Sequence, residues 1–93
     1  MFLSEDVHNF MEALVEEEFS RRNLPSQYER SYLEDLFCLS LNALPAKYVR
    51  HALDMRMYMS PEERGELELQ VRKAVENASE ILRRDRRSEN RDD

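Results

Sequence analysis

The residues best suited to chemistry lie in the stretch 45–59, PAKYVRHALDMRMYM, which combines aromatic rings, cations and a carboxylate. The candidate ligand-binding residues are Lys47, Tyr48, Arg50, His51, Asp54 and Arg56. Arginine can donate hydrogen bonds to guanine O6 and N7 or to phosphate, a carboxylate can accept from the donors on guanine, and a tyrosine ring offers a stacking face. Lysine and histidine add donors for phosphate. The pattern therefore predicts a site for a ligand that contains both purine and phosphate.

Hydrophobic periodicity leaves the backbone conformation of this stretch open. An extended strand would place four apolar side chains on one side, those of Leu53, Met55, Met57 and Met59. A helix would instead align Val49, Leu53 and Met57. The preceding Pro45 and the alternation favour an extended segment, which could pair with its symmetry mate in a dimer. The alternative interpretation of the polar set is a solvated strand face with ordinary cross-strand ion pairs.

The first of three predicted helices runs from Asp6 to Arg22, with Ser4 or Asp6 as its cap. Its apolar stripe consists of Val7, Phe10, Met11, Leu14 and Val15. Glu18 interrupts this stripe, and two interpretations are open. Either the stripe reaches the rim of the core there and the carboxylate reaches water, or Glu18 pairs with a buried arginine or a ligand.

The second predicted helix begins with a capping box formed by Ser31 and Glu34 and ends at Leu44, before Pro45. Apolar residues cover about half of its circumference, so it needs cover on more than one side. The other two predicted helices have one apolar stripe each, and in so short a chain they cannot cover the whole apolar surface of the second helix. The sequence therefore predicts a homodimer in which this helix packs against its copy about a twofold axis. Cys38 is predicted to be a small buried side chain and not a redox sensor.

The third predicted helix begins at Pro61, with Ser60 as its N-cap, and runs to about Arg84. Its apolar stripe consists of Leu67, Val71, Ala74, Val75, Ala78, Ile81 and Leu82. The arginines at 83, 84, 86 and 87 are interpreted as a solvated helix end. We expect one domain over 1–83 and a disordered charged tail over 84–93. The predicted fold class is mainly α, a three-helix protomer with a short extended or β segment between helices 2 and 3, in a helical homodimer.

The composition of the 93-residue chain narrows the function classes. Its 14 basic and 20 acidic residues give a net charge of −6 and form no basic stripe, which argues against a DNA or RNA partner. A single cysteine excludes an internal disulfide and an all-cysteine zinc site, and we expect no metal. We see no signal peptide and no apolar run of about 20 residues, and expect a cytoplasmic protein without a membrane partner. With no evident catalytic constellation, we expect neither enzyme activity nor a cofactor.

Three segments resemble the ComFB-like family of late competence development proteins: MEALVEEEF (11–19), LFCLSLNALPAKYV (36–49) and RHALDMRMYMSPEE (50–63). The most specific element is the apolar helix that ends in Leu-Asn-x-Leu-Pro-x-Lys-Tyr-Val, and the Arg-His-x-x-Asp continuation resembles cyanobacterial members most. The resemblance covers about 7–82. It implies a small helical homodimer that acts as a bacterial receptor for cyclic dinucleotides such as cyclic di-GMP (c-di-GMP), with links to competence, motility and cell-size control.

The sequence departs from the family pattern in two places. The family often has Leu-Pro-Pro where this chain has Leu44-Pro45-Ala46, and some members carry a zinc-binding cysteine cluster where this chain has Cys38 alone. The leading functional hypothesis is a cytosolic cyclic dinucleotide receptor that signals as a dimer to a downstream protein. The alternative is a ligand-independent dimeric adaptor that binds its partner through the methionine-rich face at 53–59.

Overall fold

The computed structural model describes residues 6–50 and 59–91, with the side chains of the last helix described as far as Asp85. Its helices are α1 (Phe10–Arg21), α2 (Arg30–Asn42) and α3 (Pro61–Arg91). Two short strands, β1 (His8–Asn9) and β2 (Tyr48–Val49), form an antiparallel ladder. A 3-10 turn over Leu24–Ser26 joins α1 to α2. The predicted fold class of three helices with a short β segment between the second and third is confirmed, while the homodimer stays a prediction.

The three helices meet in one hydrophobic core. Its buried side chains are those of Phe10, Met11, Leu14, Val15, Phe19, Tyr32, Leu36, Val71, Ala74, Val75, Ala78 and Leu82. Two residues of the predicted stripes, Val7 and Ile81, are exposed instead. Val7 precedes the helix, so the helical period does not apply to it. At 100° per residue, Ile81 lies about 60° from the centre of the α3 stripe, and therefore at its margin.

The start of α1 differs from the prediction. Asn9 is the N-cap, and its Oδ1 accepts a hydrogen bond from the amide of Met11 at 3.2 Å. The predicted cap Asp6 is wrong because the two residues before the helix are used by β1. The other predicted cap, Ser4, lies outside the described residues. Asn9 is therefore both the last residue of β1 and the N-cap of α1.

Both ends of α2 also lie a short distance from the prediction. The N-cap position is occupied by Glu29, which makes no side-chain capping bond, and its carbonyl accepts from the amide of Leu33 at 3.1 Å. Ser31 therefore lies inside the first turn, and the predicted capping box with Glu34 is wrong. The helix ends at Asn42, and the amide of Leu44 donates to Leu41 at 3.1 Å in a tighter turn. The following proline disfavours the α conformation at the residue before it.

Glu18 is buried, with only 4% of its surface exposed, so the interpretation that it reaches water at the rim is wrong. Its carboxylate pairs with two arginines, Arg21 Nη1 at 2.7 Å and Arg22 Nε at 2.6 Å. The Arg22 Nη2 atom continues to Glu76 Oε1 at 3.3 Å and to the carbonyl of Arg72. A buried carboxylate without partners would be strongly destabilising. Arginine pairing therefore stabilises this carboxylate and ties the end of α1 to α3.

The start of α3 confirms the prediction, since Ser60 Oγ accepts from the amide of Glu63 at 3.1 Å. The helix extends to Arg91, beyond the predicted end near Arg84. Arg83 Nη2 donates to both carboxylate oxygens of Glu80 at 2.6 Å, and this hydrogen bond lowers the pKa of Glu80. Such pairs three and four residues apart favour continuation of a helix. The division into a domain over 1–83 and a tail over 84–93 stays a prediction.

Candidate functional site

The structure describes three of the six predicted ligand-binding residues. Lys47, Tyr48 and Arg50 are all exposed. The other three, His51, Asp54 and Arg56, lie outside the described residues, as does most of the methionine-rich face. The described part of the candidate site thus consists of the segment 47–50 and the elements that surround it.

The backbone of this segment is held against the start of α1. In the β1–β2 ladder, His8 faces Val49 and Asn9 faces Tyr48. The amide of Lys47 donates to Asn9 Oδ1 at 2.9 Å, and its carbonyl accepts from the amide of Phe10 at 2.7 Å. The segment 48–49 thus has a strand partner in its own chain, while the predicted pairing with a symmetry mate stays a prediction. Pairing within one chain avoids the loss of translational freedom that pairing between two molecules entails.

Asn9 is a residue of this site that the sequence interpretation missed. Its Oδ1 accepts from two amides, that of Met11 in α1 and that of Lys47 before β2. One side chain thus starts the helix and fixes the segment that carries the candidate ligand-binding residues. A signal was available, because asparagine immediately before an apolar helical run, with Glu12 three residues later, is typical of an N-cap.

Tyr48 is the most exposed of the large hydrophobic residues that the structure describes, at 70%. Its backbone is fixed by the ladder, and the adjacent Lys47 is exposed as well. A tyrosine held on an ordered backbone offers a stacking face with little conformational freedom left to lose. The arrangement can therefore bind a flat ring on Tyr48 and an anion on the neighbouring cations.

A groove between α1 and α2, which we call the α1–α2 groove, has a volume of about 400 Å³. Its lining residues are Glu16, Phe19, Arg30, Leu33, Glu34, Phe37 and Cys38. The rings of Phe19 and Phe37 meet edge to face at 6.0 Å across it. Cys38 is exposed in the single chain, so the prediction that it is buried is wrong for the protomer. The reason is that α2 covers the core with its opposite face, which carries Leu36.

A second groove lies between the C-terminal end of α2 and α3, and we call it the α2–α3 groove. It has a volume of about 290 Å³. Its lining residues are Ala43, Leu44, Pro45, Gln70, Lys73, Ala74 and Asn77. Two further concavities, of about 590 Å³ and about 250 Å³, lie on the exposed side of α1, and both include Glu16. The α2–α3 groove thus adjoins the turn from which the candidate segment 47–50 continues.

A family model described as late competence development protein ComFB matches residues 8–86. The chain belongs to the ComFB family. No curated protein and no solved structure matches the chain. The match begins at β1 and extends past Leu82, which is buried in α3, so the ladder, the segment 47–50 and both grooves lie inside the ComFB region.

Two further observations describe this ComFB domain. Within residues 6–50 and 59–91, no helix is long and apolar enough to cross a membrane. In the same part of the chain, no three histidine, cysteine or acidic side chains are grouped as metal ligands. The polar features that the structure does bring together near the ladder are an exposed ring, exposed cations and a groove with amide and lysine side chains.

Proposed function

We propose that this ComFB-family chain is a receptor for cyclic dinucleotides such as cyclic di-GMP, and that it signals as a homodimer. The main observation behind the proposal is that Tyr48 is 70% exposed while its backbone is held by Asn9 and β1. Stacking of a base on an aromatic side chain contributes about 1–3 kcal/mol. The phosphate next to that base then meets the exposed side chains of Lys47 and Arg50.

The symmetry of such a ligand matches the symmetry of a dimer. A cyclic di-purine has two bases and two phosphates related by a twofold axis. A closed homodimer also has a twofold axis, so each copy can offer one Tyr48 and its neighbouring cations to one half of the ligand. The ligand then links the two copies, and its binding changes the surface that a downstream protein meets.

The α1–α2 groove supports a second copy as the partner in this dimer. Its floor is apolar, and Leu33 and Phe37 remain only half-buried in one chain. On the rim, the side chains of Arg30 and Glu34 are 90% and 67% exposed and lie 3.9 Å apart. Packing of α2 against its copy covers the floor and brings rim charges of opposite sign together, which is typical of isologous interfaces.

A thermal-shift titration tests the receptor function. Cyclic di-GMP at 100 times its Kd should raise the free energy of unfolding by about 2.7 kcal/mol. The variant Tyr48→Ala should lose most of this shift because it removes the stacking face. The matched control is Tyr28→Ala, since Tyr28 is a 45% exposed tyrosine outside the site and stacks on Tyr32 at 4.4 Å. The proposal fails if cyclic di-GMP, cyclic di-AMP and mixed cyclic dinucleotides all leave the unfolding temperature unchanged.

The single cysteine provides a direct test of the dimer. If α2 packs against its copy, the two exposed Cys38 thiols share one interface, and a short bismaleimide should join them. The expected product has twice the 11.2 kDa mass of one chain, and Cys38→Ser should abolish it. A monomeric mass by light scattering together with no crosslinked product would contradict the dimer.

The same experiments separate the receptor from a ligand-independent adaptor. In the adaptor the second copy covers the α1–α2 groove in the same way, and the downstream partner binds the methionine-rich face predicted at 53–59. A crosslinked dimer that shows no thermal shift with any cyclic dinucleotide would support the adaptor and reject the receptor.

A further inference from the structure

We infer that the α2–α3 groove is the second part of the ligand site, where it binds the phosphate and the base edge of the half-ligand that stacks on Tyr48. This inference rests on the proposed receptor function and names further residues of that site. The groove has an apolar floor made by Ala43, Leu44, Pro45 and Ala74. Its polar rim belongs to α3 and consists of Gln70, Lys73 and Asn77.

The charge of the rim distinguishes this groove from the others described above. The α1–α2 groove and the two concavities beside α1 all include the carboxylate of Glu16, together with Glu34, Glu17 or Glu12. Among the residues that the structure describes, the lining of the α2–α3 groove includes one lysine and no carboxylate. At physiological salt the screening length is about 8 Å, so charges in the groove itself decide whether an anion is attracted. Arg30 lines the α1–α2 groove and Arg21 one of the concavities, but carboxylates outnumber arginines and lysines in all three sites. In a chain with net charge −6, the α2–α3 groove therefore suits a phosphate better than the other three do.

The lysine of the rim is also free to bind an anion. None of the ion pairs found among the described residues includes Lys73. Its side chain is exposed and lies beside the C-terminal end of α2. Many other cations of the domain already have a carboxylate partner, as Arg22 and Arg64 do. A phosphate can therefore bind Lys73 without displacing an existing ion pair.

The two amides of the rim suit the edge of a purine. Gln70 and Asn77 are seven residues apart on one helix, so they share a face and lie about 10.5 Å apart along its axis. Lys73 lies between them on the same face. Glutamine and asparagine side chains can pair with the donor and acceptor atoms of a purine edge. The base edge and the phosphate of one nucleotide can thus both accept hydrogen bonds from side chains that lie in one row on α3.

The chain itself limits the distance between the groove and the stacking face. Pro45 lines the groove, and Tyr48 follows three residues later. Three residues span at most about 11 Å when fully extended. The groove and the Tyr48 ring are therefore close enough to contact the same half of one cyclic dinucleotide.

The test compares two neighbouring cations on α3 that differ in position. Lys73 lines the groove, whereas Arg72 lines none of the four grooves described and is also exposed. Lys73→Gln and Arg72→Gln remove the same charge from adjacent surface positions, so both should fold. By calorimetry with cyclic di-GMP, Lys73→Gln should raise the Kd about tenfold, equivalent to about 1.4 kcal/mol. Arg72→Gln should change the Kd by less than about twofold at the same ionic strength, because its charge is screened.

The outcomes separate this inference from the proposed function. Two outcomes would show that the α2–α3 groove is not part of the ligand site without contradicting the receptor function. One is an equal effect of the two substitutions, and the other is no effect of Lys73→Gln while Tyr48→Ala abolishes binding. Absence of binding by the unaltered protein would overturn both.

Discussion

The two grooves beside α2 have similar apolar floors but different rims. The α1–α2 groove is larger, about 400 Å³ against about 290 Å³, and its rim carries Glu16, Arg30 and Glu34. The α2–α3 groove has amides and one lysine instead. A rim with both signs of charge suits the same rim on a second copy of the chain, because a twofold axis can place the arginine of one copy opposite a carboxylate of the other. A rim with a lysine and no acid suits a small anion. One helix therefore borders two surfaces of different charge, to which the proposals above assign different partners.

The substitution Cys38→Glu should produce the largest effect, because it places a carboxylate in the middle of the α1–α2 groove of both copies. Cys38 is exposed in the protomer, so the fold should be retained. A charge buried without a partner at an interface costs several kcal/mol, and the symmetric dimer would contain two. We expect a monomer by light scattering at concentrations where the unaltered protein is dimeric.

A matched control for this variant is Asn42→Glu, which adds the same charge to an exposed residue of α2 outside both grooves. It should leave the dimer intact. A dimer that persists with Cys38→Glu would show that α2 does not form the interface at this position.

The substitution Gln70→Glu should have an intermediate effect, confined to the other groove. It keeps the shape of the side chain and places a carboxylate in the α2–α3 groove, which then resembles the acidic grooves. Repulsion of the phosphate should weaken binding of cyclic di-GMP about tenfold, which is about 1.4 kcal/mol, without changing the mass of the dimer. The comparison between the grooves fails if this variant binds as tightly as the unaltered protein, or if it dissociates the dimer.

The smallest effect is expected from Ser40→Ala, at a buried position of α2. Ser40 is fully buried, and its hydroxyl has no hydrogen-bond partner among the described residues. Removal of an unsatisfied buried hydroxyl should raise the free energy of unfolding by about 1 kcal/mol, which is an increase in Tm of about 4–8 °C for a domain of this size. Neither the dimer nor ligand binding should change. Destabilisation measured by chemical denaturation would show that the hydroxyl has a partner.

Features set by neighbouring residues were predictable from the sequence. The core stripe of α1 from Phe10 to Val15 follows from the helical period, and the start of α3 follows from Ser60 and Pro61. Family membership followed from the segments around Leu44–Val49, and the family match over 8–86 agrees with it.

Features that join distant parts of the chain were not predictable in the same way. Asn9 and Lys47 are 38 residues apart, and no local pattern shows that one side chain serves both α1 and the candidate segment. The burial of Glu18 depends on Arg21 and Arg22, and Arg22 also contacts α3, which periodicity alone does not reveal. Cys38 lies on an apolar helix, yet whether its face points to the core depends on how α2 is rotated against α1 and α3.

Calorimetric titration of the unaltered protein with cyclic di-GMP, cyclic di-AMP and a mixed cyclic dinucleotide tests the central claim most directly. We predict saturable binding of at least one of them, with one ligand per two chains, and loss of that binding in Tyr48→Ala. No measurable binding of all three ligands to a correctly folded protein would contradict the claim that the ordered segment 47–50 receives a purine and its phosphate.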